Sequence, residues 1–372
     1  MAKKLRVGIL FGGRSGEHEV SLLSAASVLR AIDRKKFDVV PIAINKSGHW
    51  LTGGAATGLL EGSVPEHDPA AGEATAALSV AGASAIDSHA ALDGQGLDVV
   101  FPVLHGTFGE DGTIQGLFEM AGIAYVGSGV LGSAAGMDKD VMKRLFVEAG
   151  LPIVKHVTLL RAEWQRQPRK AIARIEAELK YPVFVKPANL GSSVGISKVH
   201  DRGELGPALT LAAKYDRKLV VEHGVGGRKA KARELEVAVL GNDDPKASVV
   251  GEIIPGKEFY DYEDKYLSDG SVPVIPARLT RDESKRIRAM AIEAFRACDL
   301  AGLARVDFLM EPDGKRRIFV NEVNTMPGFT KISMYPKLWQ ASGLPYTELI
   351  TRLIELALER QAEKRETSYT RE

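Results

Sequence analysis

In this chain of 372 residues the side chains best placed by type and spacing to do chemistry are Arg305-Val306-Asp307 and Glu322-Val323-Asn324. Between them Glu311-Pro312-Asp313-Gly314-Lys315 has the composition of a turn. The flanking apolar runs are therefore predicted to form an antiparallel hairpin centred near Gly314 and Lys315. In that register Asp307 faces Glu322. Directly opposed Cβ atoms sit roughly 5 Å apart, so two carboxylates there repel unless a cation lies between them. Glu322 and Asn324, two apart on a strand, share one face. Asp307, Glu322 and Asn324 together offer only hard oxygen donors, which suit magnesium with phosphate oxygens and water completing its shell. The competing reading is a solvated hairpin face carrying a structural Arg305–Asp307 pair.

Four further segments carry candidate chemistry. Lys186 ends an apolar run and is followed by the small-residue loop Pro187-Ala188-Asn189-Leu190-Gly191-Ser192-Ser193-Val194-Gly195. Such a loop lets backbone N–H groups wrap an anion while the lysine supplies a point charge. A plain hairpin turn is the alternative, and it weakens beside an oxygen-donor metal pair, because lysine, magnesium and phosphate are the common equipment of phosphoryl transfer. Gly12-Gly13-Arg14-Ser15-Gly16-Glu17-His18-Glu19 follows the first predicted strand and opens a helix. Small ligands of open α/β sheets bind beyond the carboxyl ends of strands, so Glu17 could hold a substrate ammonium or serve only as a charge favoured by the helix dipole. His105-Gly106-Thr107-Phe108-Gly109-Glu110-Asp111-Gly112 is glycine-rich enough for close backbone approach to a ligand. His105 is either a hydrogen-bond donor to substrate or structural. Residues 259–266 place three tyrosines among charged residues, without evident chemistry of their own.

Two motifs point elsewhere. Gly127, Gly129 and Gly132 spell G-x-G-x-x-G, which alone suggests NAD or a non-catalytic binding module. The fingerprint also wants an acid about 20 residues on, at the end of the next strand, where this chain has Lys155 and His156. Residues 251–258, GEIIPGKE, satisfy G-x-x-x-x-G-K but have Glu258 where a P-loop needs Ser or Thr. A Walker-type site is not expected.

The elements that must position these groups follow from the apolar runs. Strands are predicted over 5–11, 37–44, 97–104 and 124–126, with helices from Gly13 to about 32 and over 113–121. That is an open parallel sheet. Residues 53–96 are rich in Ala, Gly and Ser with little periodicity and read as a surface excursion. Next come a helix over 139–149 and a strand pair, 154–159 with 183–186. Strands at 219–222, 235–240, 305–310 and 318–323 then mix with helices at 281–298 and 345–362, and the tail after Arg360 is expected to fray. The fold class is α/β, turning to α+β in the C-terminal half, with three segments at 1–132, 133–217 and 218–372.

Forty-nine Lys and Arg nearly balance forty-eight Asp and Glu, which argues against a nucleic-acid partner. Cys298 is the only cysteine, so no internal disulfide or four-cysteine zinc site is available, and its apolar neighbours predict a packed thiol. The N-terminal apolar run is broken by glycines and reads as neither signal peptide nor membrane span, leaving the cytoplasm as the expected compartment.

In their order, GGRSGEHEVS, HGTFGEDGTIQG, MDK at 137–139, VKPANLGSSVGISKV, ARELEVAVLG, EFYDYEDKYL, ARVDFL and VNEVNTMPGFT resemble the D-alanine:D-alanine ligase family of the ATP-grasp superfamily. The resemblance spans residues 12 to about 330. It implies a Rossmann-like substrate domain, then a small lid and a large catalytic lobe of an ATP-grasp fold. It implies that Lys139 and Lys186 contact ATP phosphates, with Ser192, Ser193 and Lys265 also on the nucleotide side. Glu222, Val225 and Glu234 would lie around adenine and ribose. Asp307, Glu322 and Asn324 would hold two magnesium ions, with manganese as a substitute. Glu17 would bind the ammonium of a first D-alanine, and Ser192 and Tyr266 would link it to a closing loop at 256–270. His105 would be on the substrate side, Arg305 with backbone N–H groups would stabilise an oxyanion, and Ser333 with Met334 would hold the second substrate's carboxylate. An acyl phosphate and a homodimer are likewise implied, and Tyr266 in YEDKYL goes with an amine rather than a hydroxy-acid nucleophile. A different ATP-grasp ligase is the alternative. The chain departs from relatives at His223, where an acid or lysine is common, and in 224–231, GVGGRKAK, which is longer than usual.

Overall fold

The computed structural model describes residues 3–62, 78–79, 96–226, 231–254, 271–312, 316–368 and 370. The chain opens with β1 (Leu5–Gly12), α1 (His18–Ala31), β2 (Phe37–Ile44), β3 (His49–Thr52), α2 (Gly53–Leu60), β4 (Leu78–Ser79), β5 (Val99–Val103), α3 (Thr113–Ala121) and β6 (Ala124–Tyr125). Their sheet runs β4-β3-β2-β1-β5-β6. β1, β2, β5 and β6 are parallel, as the continuous apolar runs require, while β3 and β4 add an antiparallel edge. The stretch from 53 therefore does not begin as a surface excursion. α2 puts Ala56 and Leu59 into the core, and β4 extends the sheet. Those two side chains, with Ala55 and Leu60 packed against the same core, outweigh the glycine-rich composition that hides them.

The middle of the chain forms α4 (Val130–Met137), α5 (Lys139–Glu148), β7 (His156–Leu160), α6 (Arg161–Arg166), α7 (Pro168–Glu178), β8 (Val183–Pro187), β9 (Ser197–Val199), α8 (Arg202–Tyr215) and β10 (Lys218–His223). The strands run β7-β10-β8-β9. The pairing expected between 154–159 and 183–186 is thus not direct, because β10 lies between them and is antiparallel to both. Inserting it gives each inner strand two ladders, and the sheet buries Val185, Leu219 and Val221 beneath α7 and α8.

The last part contributes β11 (Arg233–Gly241), β12 (Lys246–Ile254), β13 (Val272–Val274), α9 (Arg281–Ala297), β14 (Gly302–Met310), β15 (Ile318–Asn324), α10 (Met334–Ala341) and α11 (Tyr346–Arg365). They make an antiparallel sheet β13-β12-β11-β14-β15. One face packs on α9 and on Met142 and Phe146 of α5. Through the other face, Leu303 and the apolar sides of α10 and α11 share a core with Val7, Val99 and Phe101 of the first sheet. Phe329 meets Phe101 edge-on at 5.5 Å. The cores thus cross the segment boundaries expected at 132 and 217. The C-terminal tail does not fray at Arg360 either: the helix runs to Arg365, and the Arg360 guanidinium lies 4.4 Å from the Tyr125 ring centre. Among the described residues no helix is long and apolar enough to cross a membrane.

Candidate active site

The site is assembled from the ends of all three sheets. On β14 and β15 the predicted register holds: Asp307 pairs with Glu322, and Arg305 with Asn324. The turn that joins these strands includes 313–315, outside the described residues. The register slips just past Asp307, a bulge of the kind that re-aims side chains beside functional sites. On its other side Asp307 pairs with Glu236 of β11, so three carboxylates line up across three strands. Cations answer them. Arg305 donates from Nε and Nη2 to both Asp307 oxygens at 2.7 Å and stands 3.3 Å from Glu236. Lys139 stands 3.5 Å from Glu322.

Lys139 is placed by the start of α5, where Asp138 caps the N–H groups of Asp140 and Val141. The backbone N–H of Lys139 donates to Ala188 O at 2.9 Å, which ties the helix to the loop after β8. One turn later Lys143 is fully buried. Its Nζ sits 3.0 Å from Glu222 of β10, whose other oxygen is 2.7 Å from Lys186 of β8, and it donates to Asn321 O at 3.2 Å. Burial alone would raise the Glu222 carboxyl, but Lys143 and Lys186 overcome it and hold it well below the ordinary range. Burial likewise opposes the Lys186 charge, yet Glu222 and Glu322 raise it overall. Lys186 therefore stays a cation, and Glu234 on β11 adds to the acidic surroundings.

At the mouth of α1, Ser192 Oγ donates to the buried Glu17 carboxylate. Ser192 and Ser193 have φ of 49° and 60°, left-handed values that cost non-glycine residues energy and gather at ligand-binding loops. Gly191 lets the loop close: a Cβ there would stand 3.1 Å from Glu17 Oε2. His105 is wedged between elements, with Nδ1 3.0 Å from Met326 O and Nε2 3.2 Å from Ser24 Oγ. Burial pushes its pKa down despite Glu17 nearby, so the ring is neutral and, with both nitrogens engaged, braces the loop. Ser333 ends the approach to α10, whose first turn has no side-chain cap. Its Oγ accepts from Thr330 N at 3.0 Å.

Glu17, His105, Lys139, Ser192, Arg305, Glu322, Asn324, Ser333 and Met334 thus wall one cavity of about 370 Å³. Asp307 lies behind Arg305; Lys186, Glu222 and Glu234 form the adjoining cluster, with Val225 half-buried in the turn after β10. Tyr266, Lys265 and the rest of the 256–270 loop lie outside the described residues. The sequence reading passed over Lys143, Glu236 and Glu110, which reach the site too. Two carried a signal: Lys143 is one helical turn from Lys139, and Glu236 shares a strand face with Glu234. Glu110 had none beyond its glycine-rich loop. The oxygen set suits hard divalent cations, since two register-paired carboxylates face each other with Arg305 beside one and Lys139 beside the other.

The dinucleotide signature has another cause here: a Cβ on Gly132 would meet Asp299 O at 2.3 Å, so this glycine allows α4 to touch the chain before β14. A parallel-sheet domain followed by two antiparallel lobes that enclose lysines and paired carboxylates defines an ATP-grasp protein. The D-ala D-ala ligase N-terminus matches residues 6–128 and the D-ala D-ala ligase C-terminus residues 145–355. The chain belongs to the D-ala D-ala ligase family. It is 51% identical over 367 residues to the D-alanine–D-alanine ligase of Geobacillus kaustophilus, covering 99% of this chain and 98% of that one. It is 50% identical over 364 residues to D-alanine–D-alanine ligase A of Escherichia coli K12, covering 97% of each. Among solved structures, the D-alanine-D-alanine ligase from Coxiella burnetii superposes with a TM-score of 0.77 at 34% identity, over 98% of this chain and 97% of that one. The VanG D-Ala:D-Ser ligase from Enterococcus faecalis does so with 0.79 at 37%, over 95% and 100%.

Proposed function

We propose that this protein is an ATP-dependent ligase joining two D-alanines into D-alanyl-D-alanine for peptidoglycan precursor synthesis in the cytoplasm. The observation that carries this is one cavity bounded both by an ammonium acceptor, Glu17, and by the Lys139–Glu322 pair beside Asp307, in a chain half identical to ligases of that name. The first substrate's ammonium would pair with Glu17, which leaves its carboxylate to attack the γ-phosphorus of ATP. The bond to the ADP oxygen breaks, and an acyl phosphate results. The second amine, having lost a proton, attacks the acyl carbon, and phosphate departs. Arg305 would face the oxyanion of that step, and the free N–H groups at the head of α10, with Ser333 and Met334, would take the second carboxylate.

Lys139 and Lys186 would hold the triphosphate, Ser192 and Ser193 its loop, and Glu222, Val225 and Glu234 the adenosine. Asp307, Glu322 and Asn324 fit two magnesium ions, with manganese a substitute; bound there, they would neutralise phosphate charge. Tyr266 and Lys265 are assigned by the family resemblance, and closure over the site would keep water from the acyl phosphate. A second copy of the chain is proposed as partner from kinship.

Phosphate release tests the reading: intact protein with ATP, magnesium and D-alanine should turn over, with D-serine and D-lactate as competing second substrates. Because the chain resembles a D-Ala:D-Ser ligase as well, activity with D-serine and none with D-alanine alone would move the second substrate. No phosphate with any of them would end the ligase assignment.

A further inference from the structure

One carboxyl on the cavity wall has no task in that reaction. Glu110 is 7% exposed and borders the same cavity as Glu17. Both converge on Gly106. The Gly106 N–H donates to Glu110 Oε1 at 2.7 Å, and a Cβ built on Gly106 would stand 2.5 Å from Glu17 Oε2. Gly106 has φ of 74°, a left-handed value that suits a residue without a side chain. Glu17 at the head of α1, Lys139 at the head of α5 and Arg305 on β14 are the charges that face Glu110, with His105 neutral in its own loop.

Neither cation pairs with it directly among the described residues. Lys139 is turned to Glu322 and to Leu190 O at 2.9 Å, and Arg305 to Asp307 and Glu236. Two acids that line one cavity and feel each other's charge out of bulk water resist ionising together unless a cation joins them. Burial, and then the Glu17 charge, push Glu110 up to about 8.

We propose that Glu110 is the second carboxyl of the ammonium site: it keeps its proton in the empty enzyme, and the first substrate's ammonium, seated on Glu17, expels it. The carboxyl O–H bond breaks, its electron pair stays on oxygen, and the proton passes to solvent as the ammonium takes its place. The inference rests on Glu17 being the ammonium acceptor and deepens that assignment. It makes charge, not shape alone, the entry requirement for the first substrate, because a hydroxy acid brings no cation to replace the proton.

Calorimetric titration of D-alanine into the intact protein at pH 6.5, in buffers of different ionisation enthalpy, reads the proton directly. The wild type should release close to one proton per D-alanine, since Glu110 is protonated there. Glu110→Gln keeps an oxygen for the Gly106 N–H; it should still bind D-alanine yet release roughly none, and Glu110→Asp should restore release. Tight binding to wild type without proton release, or equal release by wild type and Glu110→Gln, overturns the proton on Glu110 and leaves Glu17 in place. No binding of D-alanine to wild type overturns both.

Discussion

Lys143 shows how a buried charge is tolerated. Its ammonium is sealed from solvent, and burial lowers its pKa overall, against the opposing pull of Glu222. Two lysines then share one carboxylate, so the contact proposed between Lys186 and a phosphate would not strand Glu222. Breaking a buried pair by removing one partner costs about 3–5 kcal/mol, because the other charge remains in low dielectric. Lys186 still covers one side of Glu222, which points to the lower end. We expect Lys143→Met to lower stability by roughly 3 kcal/mol, read from the denaturant midpoint. Adding Glu222→Gln should then cost less than the sum of the two single changes, as coupled partners do. A loss under about 1 kcal/mol for Lys143→Met would show the triad contributes little. The sequence exposed Lys139 and Lys186 through their motifs, whereas Lys143 sits in an ordinary amphipathic helix. Its role depends on a strand, β10, that is distant in the chain.

At the scale of elements, what was legible followed local rules. Apolar runs gave the strands, and turn composition gave the register that opposes Asp307 to Glu322, because a hairpin's pairing is fixed by its own turn. Strand order was not legible: nothing near 154–159 or 183–186 announces that 218–223 will part them. The same limit explains Gly132, whose spacing spelled a cofactor motif while its neighbour, Asp299 O, lies far along the chain. Two glycine-to-alanine changes separate these causes. Gly132→Ala gains helix propensity of up to ~1 kcal/mol, but its Cβ would stand 2.3 Å from a backbone oxygen that cannot swing aside. Overpacking of this kind costs about 1–3 kcal/mol, so the net effect should be a lower Tm. Gly116→Ala in α3 meets nothing within 4 Å and should raise stability by roughly 0.4–1 kcal/mol. If both variants shift Tm the same way by similar amounts, close packing is not what Gly132 provides.

For the whole molecule, the buried titrating groups set a pH of greatest stability. His105 and His156 are both held neutral by burial, His156 also by Lys143. Unfolding lets them take up protons below about 6.5, so below that pH the unfolded chain binds up to two more protons and stability falls as pH drops. Glu110 acts oppositely. Raised to about 8, it is protonated when folded and ionised when unfolded, so between its ordinary value near 4.3 and 8 it makes stability fall as pH rises. Below 6.5 the two rings outweigh the one carboxyl; from 6.5 to 8 the rings drop out and the carboxyl remains. Stability of the protein without nucleotide should therefore peak near pH 6.5 and decline by up to about 1.4 kcal/mol per unit on either side, one net proton each way. At still lower pH, Glu222 and Glu283 steepen the loss. Glu222 is held down by Lys143 and Lys186 against burial, and Glu283 chiefly by its bond to Arg316, so both lose their stabilising charge as pH falls from about 4.3. Denaturant unfolding at pH 5.5, 6.5 and 8 checks the shape, and Glu110→Gln should flatten the alkaline side and steepen the acid side, where the carboxyl no longer offsets the two rings. An alkaline side that is equally steep in Glu110→Gln would assign that slope to other groups and remove the basis for a proton held on Glu110.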